Sequence, residues 1–308
     1  MSNLKISINI PCFNEENDIG DVVSSFKNEV PHAKIIVYDN CSIDNTKERA
    51  IEAGAIVIDV QHKGKGNVVR RIFSEVDSDI YVIVDGDGTY DAKSIKGMID
   101  VLISKKLDMV VGSRVDVTRG AYRRGHRFGN KALTACASMI FGNSFKDMLS
   151  GYRVFSRRFA KSFPAHSKEF EIETEFNIHA LQMRLPVKEV ETKYYERSSG
   201  SASKLRTYRD GWKILFMIFN LFRSEKPLIF YSLISLFFVV LSIFLGAPVV
   251  FGFMETGLVK KLPTAVLSAA LAMISSVLMA CGLILDSIAQ GRIESKWQTY
   301  IGIDNRYE

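Results

Sequence analysis

Two aspartates one residue apart, Asp85 and Asp87, close the apolar run Ile80-Tyr81-Val82-Ile83-Val84, with Gly86 between them and Gly88 behind. A β-branched run of this kind reads as a buried strand, and the glycines end it in a turn. Two carboxylates on so bare a backbone, presented at the carboxyl end of a strand, suit a hard divalent cation that also holds phosphate oxygens. A polar strand-ending turn uses the same residue types, so the surroundings of the pair decide between the two.

Those surroundings are an alternating pattern. Residues 4–10, 34–39, 55–60, 79–84 and 108–112 are short apolar runs rich in isoleucine and valine, with helix-like segments at about 15–28, 44–53, 66–77 and 92–104. The alternation predicts an α/β domain with a mostly parallel sheet covered on both faces. Ligands of such sheets bind beyond the carboxyl ends of the strands. Pro11-Cys12-Phe13-Asn14-Glu15-Glu16 follows the first strand, Asp39 to Thr46 the second, the Asp85/Asp87 pair the fourth and Gly112-Ser113-Arg114 the fifth. Asp44 or Asn45 can cap the next helix, but capping does not explain Asp39, Asp85 and Asp87 together. His62-Lys63-Gly64-Lys65-Gly66-Asn67 reads either as a backbone approach to phosphates or as a solvated turn. No GxGxxG follows the first strand and no GxxxxGK[ST] occurs, which argues against a nicotinamide dinucleotide enzyme and a P-loop NTPase. His126, His166 and His179 have neither a paired carboxylate nor metal-ligand spacing and read as structural or surface residues. Met139, Met148 and Met183 read as core fillers.

The chain has 308 residues and a formal charge of +6, enough for one sizeable domain and something more. No nucleic-acid-binding pattern is visible. Cys12, Cys41, Cys136 and Cys281 are scattered and read as free thiols. The amino terminus lacks the apolar core of a signal peptide, so a cytosolic first domain is expected. Residues Pro227 to Met254 and Leu262 to Leu285 carry no charge, and each run exceeds the roughly 20 residues that cross a bilayer as a helix. The expected layout is a catalytic domain over 1–204, an amphipathic helix in the membrane interface over 205–226, spans at about 227–253 and 263–286 within 227–290, and a tail over 291–308. Lys204, Arg206, Arg209, Lys213, Arg223 and Lys226 before the first span, with Arg292 and Lys296 after the second, place domain and tail in the cytoplasm; Lys260 and Lys261 in the link count the other way.

Taken in order, Pro11 to Glu16, Asp39 to Asp44, Gly64-Lys65-Gly66, Asp85-Gly86-Asp87, Gly112-Ser113-Arg114, Asp147 to Arg157 and Glu196 to Leu205 resemble the family 2 glycosyltransferases of GT-A fold. Within that family they look like the polyprenyl-phosphate branch, which includes dolichol-phosphate mannose synthase and the bactoprenol glucosyltransferases. The resemblance covers about residues 4–225 and, through the paired spans, most of the rest. It implies transfer of a sugar, with inversion, from a nucleotide diphosphate donor to a polyprenyl phosphate, giving a lipid-linked sugar for modification of cell-surface polysaccharide. It implies a divalent metal, Mg2+ or Mn2+, on Asp87 and Asp85, with Asp87 also catalytic. Donor-binding positions are Pro11, Asn14, Glu15 (near the ribose), Asp39 (at the base edge), Lys65 and Asp85. Arg114, Arg127 and Arg153 match positions that meet the lipid phosphate, and Lys204 joins them. Where relatives often carry a Gln two residues after the second Asp, this chain has Thr89, which leaves the third metal ligand open. Glu171, Glu173 and Glu175 lie where relatives often carry an acidic residue; their alternation also fits exposed positions at a helix start.

Because the acceptor is already an anion, a strong general base is not obligatory. The two-span layout looks more like the bactoprenol glucosyltransferases, a resemblance that implies a UDP-sugar, UDP-glucose in particular, and a bacterial inner membrane; GDP-mannose is the alternative donor. A processive polysaccharide synthase would carry a QxxRW-type motif and more spans, neither of which is visible. A catalytically silent scaffold is hard to reconcile with an intact Asp85/Asp87 pair. The apolar surface of the hairpin suits packing against copies of itself, and the resemblance to relatives of this shape implies a tetramer.

Overall fold

Apolar runs and amphipathic segments fold into a seven-stranded mixed sheet with helices between the strands. The structure, a computed structural model, describes residues 4–116, 145–165, 172–196, 219–220, 222–304 and 306. β1 (Ile6–Cys12), β2 (Lys34–Asp39), β3 (Ile56–Asp59) and β4 (Ile80–Ile83) are linked through α1 (Ile19–Glu29), α2 (Thr46–Glu52) and α3 (Lys65–Glu75). A 3-10 turn at Ala92–Ser94 leads into α4 (Ile95–Ser104) and β5 (Met109–Asp116). Further along come β6 (Arg153–Ser156), α5 (Arg157–Ser162), α6 (Ile172–Gln182) and β7 (Val187–Tyr194).

The strand order is β3-β2-β1-β4-β6-β5-β7. β1 pairs in parallel with β2 and β4, β2 with β3, and β5 with β7, whereas β6 runs antiparallel to both β4 and β5. The carboxyl ends of the other strands and the amino end of β6 therefore share one rim. α1 shows why the sheet is covered: Ile19, Val22, Val23 and Phe26, spaced at i, i+3, i+4 and i+7, are all buried. They join Ile6, Ile8 and Ile10 of β1 and Val82 of β4 in one core. Burying a side chain of this size contributes roughly 1.5–3 kcal/mol. A second apolar group holds α5 and α6, where Phe155, Phe159, Phe163 and Phe176 meet ring to ring. Ser156 caps α5 by accepting from Phe159 N at 3.0 Å.

Two strand limits differ from expectation. Pro11 and Cys12 belong to β1, whose ladder with β4 ends at Asn9–Ile83, so the missing N–H of Pro11 interrupts no pairing on that side. Gly112-Ser113-Arg114 lies within β5, because β7 pairs with it in register as far as Asp116. β6 and β7 were not expected from the apolar runs.

The chain divides into two compact units, residues 1–214 with 295–308, and residues 215–294. In the first, Tyr300 from the carboxyl-terminal segment donates to Asp108 Oδ2 at 2.7 Å. The second holds α7 (Pro227–Thr256) and α8 (Leu262–Ile301) as far as Glu294; both helices are long and apolar enough to cross a membrane, with mean hydropathies of 2.7 and 2.2 over their most apolar windows. α7 begins on a proline and stops at Gly257, whose φ of 68° is the left-handed cap of a helix end. The helices run antiparallel, Ser235 Oγ meeting Ser275 Oγ at 2.8 Å and Ser242 Oγ donating to Ser268 O at 2.8 Å. Gly282 faces Leu228 in the same register, so small residues let the backbones approach. α8 continues to Ile301, past the end of the apolar run at Leu285, because composition marks where apolarity stops and not where helix stops. Most of the expected interface helix lies outside the described residues.

Candidate active site

The turn after β4 is shaped by what lies beneath it. A Cβ on Gly86 would stand 2.4 Å from Cys12 Sγ, so the chain passes close over β1 only with glycine there. Gly88 has φ 70°, which reverses the chain. Asp87 is buried, and its Oδ1 accepts from Thr89 N at 3.2 Å and Thr89 Oγ1 at 2.6 Å. Thr89 thus fixes the orientation of the second aspartate. The Asp85 side chain is about a third exposed, at 31%.

Behind Asp85 stands Lys65, the first residue of α3, with its side chain only 7% exposed. Its Nζ donates to Asp85 Oδ1 and, at 2.5 Å, to Glu173 Oε1 of α6. Burial alone would push the ammonium down, but the two carboxylates more than offset it and hold Lys65 charged, above its ordinary value. Gly151 closes the far side: a Cβ there would sit 2.2 Å from Asp85 Oδ2 and 3.0 Å from Lys65 Nζ. Tyr90 accepts from Gly151 N at 2.8 Å, and burial pushes its phenol upward. The sequence offered Lys65 among the donor-binding positions and Glu173 either as an acidic residue of the site or as an exposed position at a helix start; the fold buries both and joins them to Asp85. Tyr90 had no sequence signal of its own.

The loops after β1 and β2 are laced together. Asn14, at φ 54°, donates its N–H to Ser42 Oγ at 3.0 Å and accepts from Ile43 N at 2.9 Å. Glu15 N donates to Thr46 Oγ1 at 2.8 Å, while Asp44 Oδ1 accepts from Thr46 N at 3.1 Å. Asn45 is the residue before α2 but makes no side-chain cap; Asp44 does that work one residue earlier. Asn40 ties in the third loop, donating to His62 O at 2.8 Å and accepting from Gly64 N at 2.6 Å. Asp39 is buried at the end of β2; its Oδ2 accepts from Ser42 N at 3.3 Å, and its Oδ1 has no partner among the described residues. Lys63 Nζ lies 3.8 Å over the Phe13 ring. Asn14, Glu15, Asp39, Lys65, Asp85 and Asp87 all lie on or beside the rim, and Pro11 lies within β1 leading to it.

The arginines divide. Arg114, in β5, makes a bidentate bond to Asp147, with Nε to Oδ2 and Nη2 to Oδ1 both at 2.7 Å. Burial raises the Asp147 carboxyl, but these bonds from Arg114 outweigh it and leave the group below its ordinary range. Asp147 N in turn donates to Glu189 Oε1 at 2.9 Å. Arg153 corrects an expectation: it is fully buried rather than set to meet a lipid phosphate. Its Nε donates to Ser150 O at 2.9 Å, Nη2 to Met148 O at 2.9 Å and Nη1 to Asn177 Oδ1 at 2.7 Å. Burial pushes its guanidinium down to about 10, and its donors knit β6 to α6 instead of facing a ligand. Arg127, Lys204, Glu171, His126, His166, Met139 and Cys136 lie outside the described residues. Met148 and Met183 are buried in the core. Cys12, Cys41 and Cys281 are free. His179 is buried, its Nε2 3.3 Å from Ser162 Oγ, and desolvation, followed by the charge of Lys296, holds it neutral with a pKa of about 3.

The residues fit a divalent metal delivered with its substrate. Among the described residues no three His, Cys, Asp or Glu side chains form a cluster able to hold an ion alone. Two carboxylates with the remaining positions left to phosphate and water is how small hard cations are held at phosphate sites.

Residues 7–163 match the profile of "Glycosyl transferase family 2". Glycosyltransferase AglJ of Haloferax volcanii is 34% identical over 229 residues, 74% of this chain and 75% of that protein. The dolichyl-phosphate hexose transferase of the same organism is 30% identical over 145 residues, 47% of this chain and 63% of that one. Among solved structures, glucosyl-3-phosphoglycerate synthase from Mycobacterium tuberculosis, in complex with Mn2+, uridine diphosphate and phosphoglyceric acid, superposes with a TM-score of 0.58. It shares 22% identity and aligns over 73% of this chain and 79% of that one, a likeness of fold.

Proposed function

This chain belongs to glycosyl transferase family 2, and from that premise we propose that it moves a sugar from a nucleotide diphosphate to a polyprenyl phosphate at a membrane. One observation carries the reading: a single chain bears the Asp85/Asp87 rim and two helices long enough to span a bilayer. The names of relatives that act on dolichyl phosphate support the acceptor class.

In this reading an oxygen of the acceptor phosphate attacks the anomeric carbon from the face opposite the diphosphate. The new C–O bond forms as the bond to the β-phosphate oxygen breaks, its electron pair leaving with the nucleoside diphosphate. No proton need move, because the nucleophile is already anionic. Asp39, Glu15, Asn14 and Pro11 are assigned to the nucleoside side of the donor. Lys65 is assigned to the diphosphate, and Asp85 and Asp87 to a divalent metal, which when bound offsets charge on the leaving group. Arg127 and Lys204 are assigned to the acceptor phosphate, with Arg114 held at the rim by Asp147. The catalytic domain is assigned to residues 1–204 on the cytoplasmic face, with residues 205–226 in the interface, spans within 227–290 and a tail over 291–308. UDP-glucose is the proposed donor, a bacterial inner membrane the location and a homotetramer the assembly.

The test uses the full chain purified in detergent, undecaprenyl phosphate, a panel of labelled UDP- and GDP-sugars, and mass spectrometry of the lipid products. One hexose added from UDP-glucose, lost in Asp87→Asn, is the expected result. A lipid product made equally well by Asp87→Asn would overturn the assignment of the aspartates, and no product from any donor would overturn the activity.

A further inference from the structure

The ammonium of Lys65 occupies the carboxylate that the proposed function gives to a metal. Asp85 is open to solvent on its front, whereas Lys65 and Glu173 side chains, each 7% exposed, close it from behind. Glu173 is itself only half satisfied: Oε1 accepts from Lys65 and the buried Oε2 has no partner among the described residues. Gly151 leaves the room in which the Lys65 and Asp85 groups meet, since a Cβ there would overlap Asp85 and crowd Lys65.

We propose that Lys65 is a resident counter-cation which Asp85 exchanges for an incoming metal–diphosphate, with Glu173 as the positioning residue that keeps the ammonium at the site during the exchange. This rests on the reading of Asp85 and Asp87 as metal ligands. A bare divalent ion approaching Asp85 meets a carboxylate already neutralised and a buried positive charge that repels it. A metal arriving with a diphosphate brings the anion to which Lys65 can turn while Glu173 retains part of its charge. Metal binding is thereby coupled to nucleotide binding, and by linkage the coupling is reciprocal. The unpartnered Glu173 oxygen gives the ammonium a second acceptor atom without leaving the pocket.

The test measures Mn2+ affinity of the full chain in detergent by electron paramagnetic resonance, with and without UDP. Wild-type protein is expected to bind Mn2+ weakly alone and at least about tenfold more tightly with UDP. Lys65→Met removes the resident charge, so its nucleotide-free Mn2+ affinity rises by about tenfold or more and its gain from UDP shrinks. Glu173→Gln removes a negative charge and commits Lys65 to Asp85, so nucleotide-free Mn2+ affinity falls. Lys65→Arg keeps the charge and stays near wild type. A merely structural role for Lys65 and Glu173 would move both affinities in the same direction. If Lys65→Met does not fold, Glu173→Gln decides: a fall in nucleotide-free Mn2+ affinity with a larger gain from UDP supports the exchange, and an equal fall with and without UDP overturns it. Unchanged affinity in the folded variants, with UDP-dependent Mn2+ binding intact in wild type, overturns the exchange alone. No Mn2+ binding by wild type even with UDP overturns the metal-site reading beneath it.

Discussion

At the carboxyl end of the sheet Lys65 lies between Asp85 and Glu173, whereas at the amino end of β5 Asp108 lies among Arg158, Ser156 and Tyr300. Both clusters bury a carboxylate beside a cation, and they finish the arrangement differently. Asp108 is fully buried with both oxygens engaged: Ser156 Oγ and Arg158 Nε donate to Oδ1, and Tyr300 OH to Oδ2, each at 2.7 Å. The guanidinium of Arg158 also lies 5.0 Å over the Tyr300 ring. At the rim, one oxygen of Glu173 lacks a partner among the described residues and Asp85 keeps a solvent face. A buried charge with both oxygens engaged serves the fold, while a cluster left incomplete on its open side is available to a ligand.

Paired substitutions can break this comparison. Asp108→Ala removes the acceptor of three donors and leaves the Arg158 charge without its carboxylate, a loss expected to cost about 3–5 kcal/mol. Asp85→Ala leaves Lys65 its bond to Glu173 and should change stability by less than about 1 kcal/mol. Thermal unfolding in detergent should separate the two, and sugar transfer should order them oppositely, with Asp85→Ala inactive and Asp108→Ala active well below its melting point. Equal stability losses would erase the distinction.

His179 adds a third way to bury a titratable group, with no counter-charge beside it among the described residues. Its folded pKa of about 3 lies below the ordinary value of 6.5, so the unfolded chain binds the proton first as pH falls. Stability from this group is therefore complete above about 6.5 and declines toward 3, with a slope approaching about 1.4 kcal/mol per pH unit. Between pH 6.5 and 5 that amounts to about 2 kcal/mol. Melting curves of wild type and His179→Asn across this interval check it: the wild type should lose the more stability on acidification. Parallel curves would mean that His179 is not held neutral.

Much of the rim was legible because its information is local. Apolar runs separated by amphipathic helices set β1 to β4, and the ends of parallel strands then collect Asp39, Asp85 and Asp87 without any knowledge of side-chain contacts. The second half was less legible for physical reasons. β6 is four residues long and antiparallel, too short for periodicity to distinguish, and β7 mixes charged with apolar residues without a clean alternation at the sheet edge. Lys65 and Glu173 are 108 residues apart and Asp108 and Tyr300 are 192 apart, so no local pattern encodes either meeting. Arg153 was misread for a related reason. An arginine in sequence looks like a phosphate ligand until the carbonyls of Ser150 and Met148 are seen to take its donors.

Tyr300→Phe is the mildest way to sharpen the contrast between the two ends. It deletes one hydroxyl and keeps the ring, so the stacking on Trp297 at 5.2 Å and the Arg158 contact persist. Asp108 Oδ2 alone loses its donor, a charge-assisted bond expected to contribute about 1.5 kcal/mol. In a double-mutant cycle with Asp108→Asn the two changes should fall short of additive, because both act on the same charge-assisted bond. Sugar transfer well below the melting temperature should be unchanged, since this carboxylate sits at the end of the sheet opposite the rim. A variant that melts like wild type yet transfers sugar poorly would move Asp108 from the structural to the functional side of the comparison. The incomplete cluster at Asp85 would then not be the distinguishing mark of a ligand site in this fold.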